Sequence, residues 1–157
     1  VNDPAGWGPS FPVPNAADHK YSRGHAVVLS GELPGTGAAR LAARAALRAG
    51  AGLVTIASPT SALAVNAAAT LAVMVREAQG ADGLSALLAD PRINAVVLGP
   101  GGGVGSEMRA KVRAAATGNR ALILDADALT SFGENPKELF TILENQKLST
   151  AILTPHE

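Results

Sequence analysis

Ile93-Asn94-Ala95-Val96-Val97-Leu98-Gly99-Pro100-Gly101-Gly102-Gly103-Val104-Gly105-Ser106 is the stretch that decides the fold. Its first six residues form a short, mainly apolar run, the signature of a strand buried on both faces. The glycine-rich loop 99–105 follows, and Ser106 is the expected cap of a helix running to about residue 116. Successive unhindered backbone N–H groups entering a helix N-terminus suit an anion, phosphate above all. No Lys-Ser/Thr pair follows, so this is not a P-loop, and Val104 stands where a dinucleotide fingerprint needs its third glycine. Two readings stay open at this point, ligand contact and a tight turn between strand and helix.

The same strand–loop–helix grammar repeats on both sides. Upstream, 25–30 reads as a strand, Gly31 to Gly35 as a second glycine-bearing loop, Thr36 as an N-cap and 37–49 as a helix. That helix carries a predicted apolar stripe of Ala38, Leu41, Ala42, Ala45 and Ala49, with Arg40, Arg44 and Arg48 read as a solvent face in preference to phosphate contacts, since the latter two lie far from the helix N-terminus. Strands are expected at 53–57 and 71–75, and helices at 60–68 and from Asp82 to Leu88. Downstream come a strand at 121–124, Asp125-Ala126-Asp127, an Asn135-Pro136 helix start and a last, buried strand at 150–153 that leads to Pro155, His156 and Glu157.

Strands alternating with helices predict a mainly parallel sheet covered on both faces, a three-layer α/β/α sandwich. Right-handed crossovers then gather loops 31–38, 57–60, 99–105, 125–129 and 154–157 at one sheet edge. Asp125 and Asp127 are candidates to bind magnesium, orient a hydroxyl or cap the next helix. His156, after a proline at a strand end, reads as a ligand contact, with Glu157 beside it. Lys20 and Arg23 read either as phosphate contacts or as a solvated basic turn.

Composition bounds the rest. The chain has 157 residues, 47% of them apolar and 3% aromatic, so its core is built from Ala, Val, Leu and Ile. Thirteen basic residues balance thirteen acidic ones, which gives no support for a nucleic-acid or anionic-membrane partner. There is no cysteine, which rules out disulfides, thiolate chemistry and zinc–thiolate sites and fits a cytoplasmic setting. No apolar run reaches transmembrane length. Residues 1–18, with Pro4, Pro9, Pro12 and Pro14, read as an extended arm or linker, with Trp7 and Phe11 either pinning it to the body or stacking on a ligand. Without an initiator methionine or a basic leader, the start reads as processed or cut from a longer protein.

Together these residues resemble the ADP- or ATP-dependent NAD(P)H-hydrate dehydratases of the ribokinase-like superfamily. The resemblance rests on Lys20-Tyr21-Ser22-Arg23-Gly24, the loop from Gly31 to Gly37-Ala38, and the unbroken R-A-G-A-G-L-V run from Arg48 to Val54. It continues in Gly99-Pro100-Gly101-Gly102-Gly103, Asp125-Ala126-Asp127-Ala128-Leu129 and Leu153-Thr154-Pro155-His156. It covers essentially everything after residue 18, so 19–157 is expected to be the N-terminal portion of a truncated ribokinase-like domain. One departure stands at Gly102, where the family usually places a bulky apolar residue.

The resemblance implies that Ala38, Gly103 and His156 contact a hydrated nicotinamide cofactor, with Lys20, Gly31, Gly37, Gly99, Gly101, Asp125, Asp127 and Glu157 as supporting positions. It implies a reaction in which ADP, or ATP, phosphorylates the hydroxyl of the S epimer of hydrated NADH or NADPH. Phosphate is then eliminated. Magnesium is expected with the nucleotide, without a protein-built metal cage. The aspartate base and the nucleotide site are expected beyond residue 157, on the same or a companion chain, which would also cover the last strand. A homo-oligomer and an upstream epimerase domain are further implications. A ribokinase-like kinase for a small molecule or vitamin precursor, and a non-catalytic nucleotide-binding module, are the competing readings.

Overall fold

A computed structural model describes residues 3–145 and 150–156. In chain order the elements are α1 (Pro4–Trp7), β1 (His25–Leu29), α2 (Gly37–Ala49), β2 (Leu53–Ser58), α3 (Leu63–Ala69), β3 (Met74–Glu77) and α4 (Gly80–Leu88). There follow β4 (Ile93–Leu98), α5 (Ser106–Ala116), β5 (Ala121–Asp125), α6 (Asp127–Thr130), α7 (Pro136–Glu144) and β6 (Thr150–Thr154).

The six strands form one sheet in the order β3-β2-β1-β4-β5-β6, and each neighbouring pair is parallel. Central position explains burial. All five residues of β1 are buried because strands flank it on both sides and helices cover both faces. Ala26, Val28, Val54 and Ile56 pack under α2 through Ala39 and Ala43. Val27, Leu29, Val96, Leu98, Leu122 and Leu124 face α4, α5 and α7 through Leu84, Met108, Val112 and Leu139. The expected three-layer α/β/α sandwich is therefore the observed one.

Several local expectations change. The arm is not extended throughout: Pro4 opens a helical turn whose first amide is capped by Asp3, with Ala5 N 2.9 Å from Asp3 Oδ1. Proline at the first helical position costs nothing there, because that amide has no partner to lose. Trp7 and Phe11 contact each other, with ring centroids 5.7 Å apart. Helix α2 is rotated relative to the predicted stripe: Ala39 and Ala43 are fully buried, whereas Leu41 is 71% exposed. In so alanine-rich a helix the pattern is weak, and the smallest side chains take the face nearest the sheet.

Caps shift too. Thr36 is buried and makes no side-chain cap. Gly105, not Ser106, is the cap residue of α5. Helix α4 starts at Gly80 before Asp82, and Asn135 offers only its carbonyl, to the Glu138 amide. β3 is displaced from 71–75 to Met74–Glu77. β6 is not a buried strand: it has only β5 beside it among the described residues, and four of its five residues are exposed.

At β1 and β4 the register shifts between His25 and Ala26, bulging Asn94 out of the ladder. The Asn94 side chain repairs the gap by accepting the His25 amide at 3.0 Å.

Candidate functional site

Strands run outward from β1 to β2 and β3 on one side and from β4 to β5 and β6 on the other. The two directions part between β1 and β4, the topological switch point of an open parallel sheet. A ligand crevice is expected beyond the carboxyl ends there. The loops after β1 and β4 meet at that place. A Cβ built on Gly31 would stand 1.7 Å from the Gly101 carbonyl oxygen, and one on Gly35 would stand 2.7 Å from it. On the far side of the second loop, a Cβ on Gly99 would stand 1.7 Å from the Asp125 carbonyl oxygen. The loops after β1, β4 and β5 thus pack backbone on backbone, which only glycine allows.

The glycine loop is more occupied than the sequence suggests. Gly102 N donates to Gly99 O at 2.8 Å. Gly103 N donates to Asp127 Oδ2 at 2.9 Å, and Gly105 N donates to Ser131 Oγ at 3.0 Å. Ser131 Oγ in turn donates to Asp127 O at 2.5 Å, and its carbonyl accepts Arg109 Nη1 at 3.0 Å. The run of unengaged amides expected for an anion is therefore corrected: three of them are held within the loop or by α6 and the turn after it. Gly103 itself stands exposed at the rim with φ +84°, and a Cβ there would meet nothing within 4 Å.

Asp127 begins α6 from an unusual turn. Ala126 has φ 42° and ψ −116°, a region costly for a residue with a Cβ, of order 1–3 kcal/mol. Asp125 ends β5, half-buried, in register with Thr154. Among the described residues no three His, Asp or Glu side chains gather as a metal cage. A magnesium ion here would depend on phosphate oxygens brought with it and on at most one or two of these carboxylates.

Beneath the first loop lies a polar trio that sequence reading missed. Asn66 Nδ2 of α3 donates to Ser30 Oγ at 2.9 Å and Ser58 Oγ at 3.0 Å. The two serines donate to Gly31 O and Pro59 O. All three side chains are buried, and Asn66 Oδ1 has no hydrogen-bond partner among the described residues. The available signal was a serine closing each of two adjacent strands and one asparagine in an alanine-rich helix. Above them Ser61 bonds Glu32, and Thr60 Oγ1 donates to Glu77 Oε1 at 2.5 Å, tying the segment after β2 to the loop after β1 and to the end of β3.

Of the remaining candidates, Gly31 is buried, Gly37 and half-buried Ala38 open α2 next to the crevice, and His156 is exposed beyond β6. Glu157 lies outside the described residues. Lys20 is not brought to this site. Its carbonyl packs against Gly52, at the amino end of β2, and its ammonium lies 5.2 Å from the Tyr21 ring centre. Arg23 is also elsewhere, donating from Nε to Gly50 O at 3.1 Å and so capping the end of α2. Lys20 therefore belongs to the opposite end of the sheet, because a residue just before a parallel strand lies a strand's length from the loops that follow it.

That opposite end carries most of the perturbed ionisable groups. His25 Nε2 is 2.8 Å from Thr55 Oγ1, and burial pushes its pKa down. The Arg92 hydrogen bonds hold the Asp90 carboxyl well below the usual range, across an ion pair of 2.7 Å. A surface groove outside α2, lined by Arg40, Leu41, Arg44 and Leu71, touches the candidate set only at Gly37. Topology and backbone packing, rather than concavity, mark the crevice.

The fold is ribokinase-like. A ribokinase-like superfamily protein from Enterococcus faecalis superposes with a TM-score of 0.69 at 20% identity, over 93% of this chain and 50% of its own. An ADP/ATP-dependent NAD(P)H-hydrate dehydratase from Bacillus subtilis, co-crystallised with ATP/Mg2+, gives 0.69 at 26% identity over 92% and 48%. The NAD(P)H-hydrate dehydratase family pattern matches residues 26–157, and the chain belongs to that family. It is 33% identical over 153 residues to a bifunctional NAD(P)H-hydrate repair enzyme of Coxiella burnetii, covering 96% of this chain and 29% of that protein. With the Escherichia coli enzyme of the same description it is 31% identical, covering 88% and 24%. The chain thus spans less than a third of the length of these curated relatives.

Proposed function

We propose that this chain forms the substrate wall of an enzyme that dehydrates the S epimer of hydrated NADH or NADPH with ADP as phosphoryl donor. The observation that carries the reading is the family match over 26–157, in which the glycine loops after β1 and β4 meet at the switch point. Phosphorylation turns the ring hydroxyl into a good leaving group, and the ring nitrogen's lone pair assists departure of phosphate as the double bond returns. In this reading Ala38, Gly103 and His156 contact the hydrated cofactor, with Gly31, Gly37, Gly99, Gly101 and Asp125 framing it. Lys20 is left out on position.

The base that takes the hydroxyl proton is assigned to an aspartate beyond residue 157. The nucleotide and its magnesium are assigned to the same further segment; their taking part at all is supported by the Bacillus subtilis relative co-crystallised with ATP/Mg2+. An upstream epimerase domain is part of the proposal, and the bifunctional description of the relatives supports a second activity. A homo-oligomer and a cytoplasmic location complete it.

Full-length protein given hydrated NADH, ADP and magnesium is expected to regenerate dihydronicotinamide absorbance and release phosphate. No regeneration with ADP or ATP overturns the reading. Accumulation of a stable phosphorylated product would instead make the protein a small-molecule kinase of the same superfamily. The 157 residues alone are expected to be inactive.

A further inference from the structure

We infer that Asp127 is a positioning residue whose carboxylate sets the glycine loop in its substrate-ready shape by holding the amide of Gly103. The inference rests on the proposed function for its catalytic consequence, and on geometry alone for the clamp.

Three observations converge. Asp127 Oδ2 accepts Gly103 N at 2.9 Å across 24 residues of sequence, so the contact joins two separate loops. Ser131, one turn further on, accepts the next-but-one amide, Gly105 N, and donates back to Asp127 O. Both residues thus act on the same short run of loop backbone. The turn that aims Asp127 is held at Ala126 in a conformation that residues with a Cβ rarely adopt, φ 42°. A strained approach that ends on a bond to the loop is what a positioning contact requires, because strain persists only where surrounding structure enforces it.

The chemistry separates this role from others open to an aspartate here. A clamp needs only an acceptor oxygen, so asparagine can replace the carboxylate through its amide oxygen. A proton acceptor needs the negative charge and would not survive that change, and a metal ligand would be weakened by it. Gly103 has no Cβ and faces open space, so only backbone bonds can fix its orientation, and Asp127 supplies one from outside the loop.

The test uses full-length protein and compares Asp127→Ala with Asp127→Asn. Loss of a hydrogen bond to a charged group predicts amide exchange in loop 99–105 faster by about tenfold or more in Asp127→Ala, and near wild type in Asp127→Asn. In turnover, Asp127→Ala is expected to raise KM for the hydrated cofactor about tenfold with kcat changed far less, whereas Asp127→Asn restores KM and keeps the wild-type pH profile. Equal loss of activity in both variants with an unchanged loop overturns the inference and assigns the charge to chemistry. Wild-type loop exchange in Asp127→Ala also overturns it. Should Asp127→Ala not fold, Ser131→Ala, which removes the acceptor for Gly105 N and the donor to the Asp127 carbonyl, is expected to show the same exchange signature at smaller size, and its absence counts against the clamp. If wild-type protein leaves the hydrate untouched, the functional reading falls while the exchange comparison still decides the clamp.

Discussion

The two ends of the sheet are built by opposite means. At the amino ends, side chains do the fastening: His25 to Thr55, Asp90 to Arg92, Arg92 and Lys20 against Tyr21, and Arg23 on the end of α2. At the carboxyl ends, backbone meets backbone across Gly31, Gly35, Gly99 and Gly101, and side chains enter mainly to hold the backbone still. The ionisable groups whose titration is clearly displaced, His25, Asp90, Arg92 and Arg120, lie at the end away from the crevice. In this chain, perturbed ionisable groups mark the structural end, while close glycine contacts with backbone occur once there, at Gly52 against the Lys20 carbonyl, and repeatedly at the end with room for a ligand. Strongly shifted titration is a probabilistic pointer to function, because structural ion pairs shift it as well.

The largest way to break the comparison is to give the carboxyl end a side chain. Gly99→Ala places a Cβ 1.7 Å from the Asp125 carbonyl and keeps a φ of +129°. A loss of about 3 kcal/mol or more is expected in denaturant unfolding, since backbone has to move rather than a flexible side chain. Near wild-type stability would mean the loops are not packed as described.

A smaller effect of opposite sign is expected at Ala126→Gly. Relieving φ 42° outweighs the extra chain entropy of glycine, and a gain of about 1 kcal/mol is expected from the same unfolding measurement. A destabilised variant would show that the turn is not strained.

The smallest effect is a slope rather than a level, and it tests the amino end. Burial lowers the His25 pKa in the folded state, so the unfolded chain binds the proton more readily. The stability tied to neutral His25 is therefore fully present above the ordinary imidazole value of 6.5 and is lost as pH falls below it. His25→Gln should flatten the pH dependence of unfolding in that window. Asp90→Asn should lower the His25 midpoint further, because the Asp90 charge raises it while Arg92 lowers it. A midpoint that rises in Asp90→Asn, followed by NMR of the imidazole, would contradict the arrangement.

Much of the fold was legible because parallel strands covered on both faces leave an unmistakable mark. Runs such as Val96-Val97-Leu98 and Leu122-Ile123-Leu124 end in glycine or aspartate at each turn, and both lie where expected. The orientation of α2 was not legible, since an alanine-rich helix offers little contrast between faces. The glycine loops were visible as composition, but their partners were not. Gly31 and Gly101 are seventy residues apart in sequence, and nothing local says that one carbonyl fills the place of the other's side chain. Lys20, a supporting position through the resemblance, stands just before β1, and that order in the sequence already puts it at the amino ends.

The sequence by itself determined the parallel three-layer architecture, the family and the positions of the glycine turns, all properties of local pattern. Tertiary structure alone decided that Asp127 and Ser131 hold the loop, that Asn66 ties β1 to β2, and that the charged cluster lies away from the crevice. The physical reason is that hydrogen bonds to loop backbone are made by whichever side chain the strand order brings alongside, and strand order is set by how the whole sheet buries its two faces.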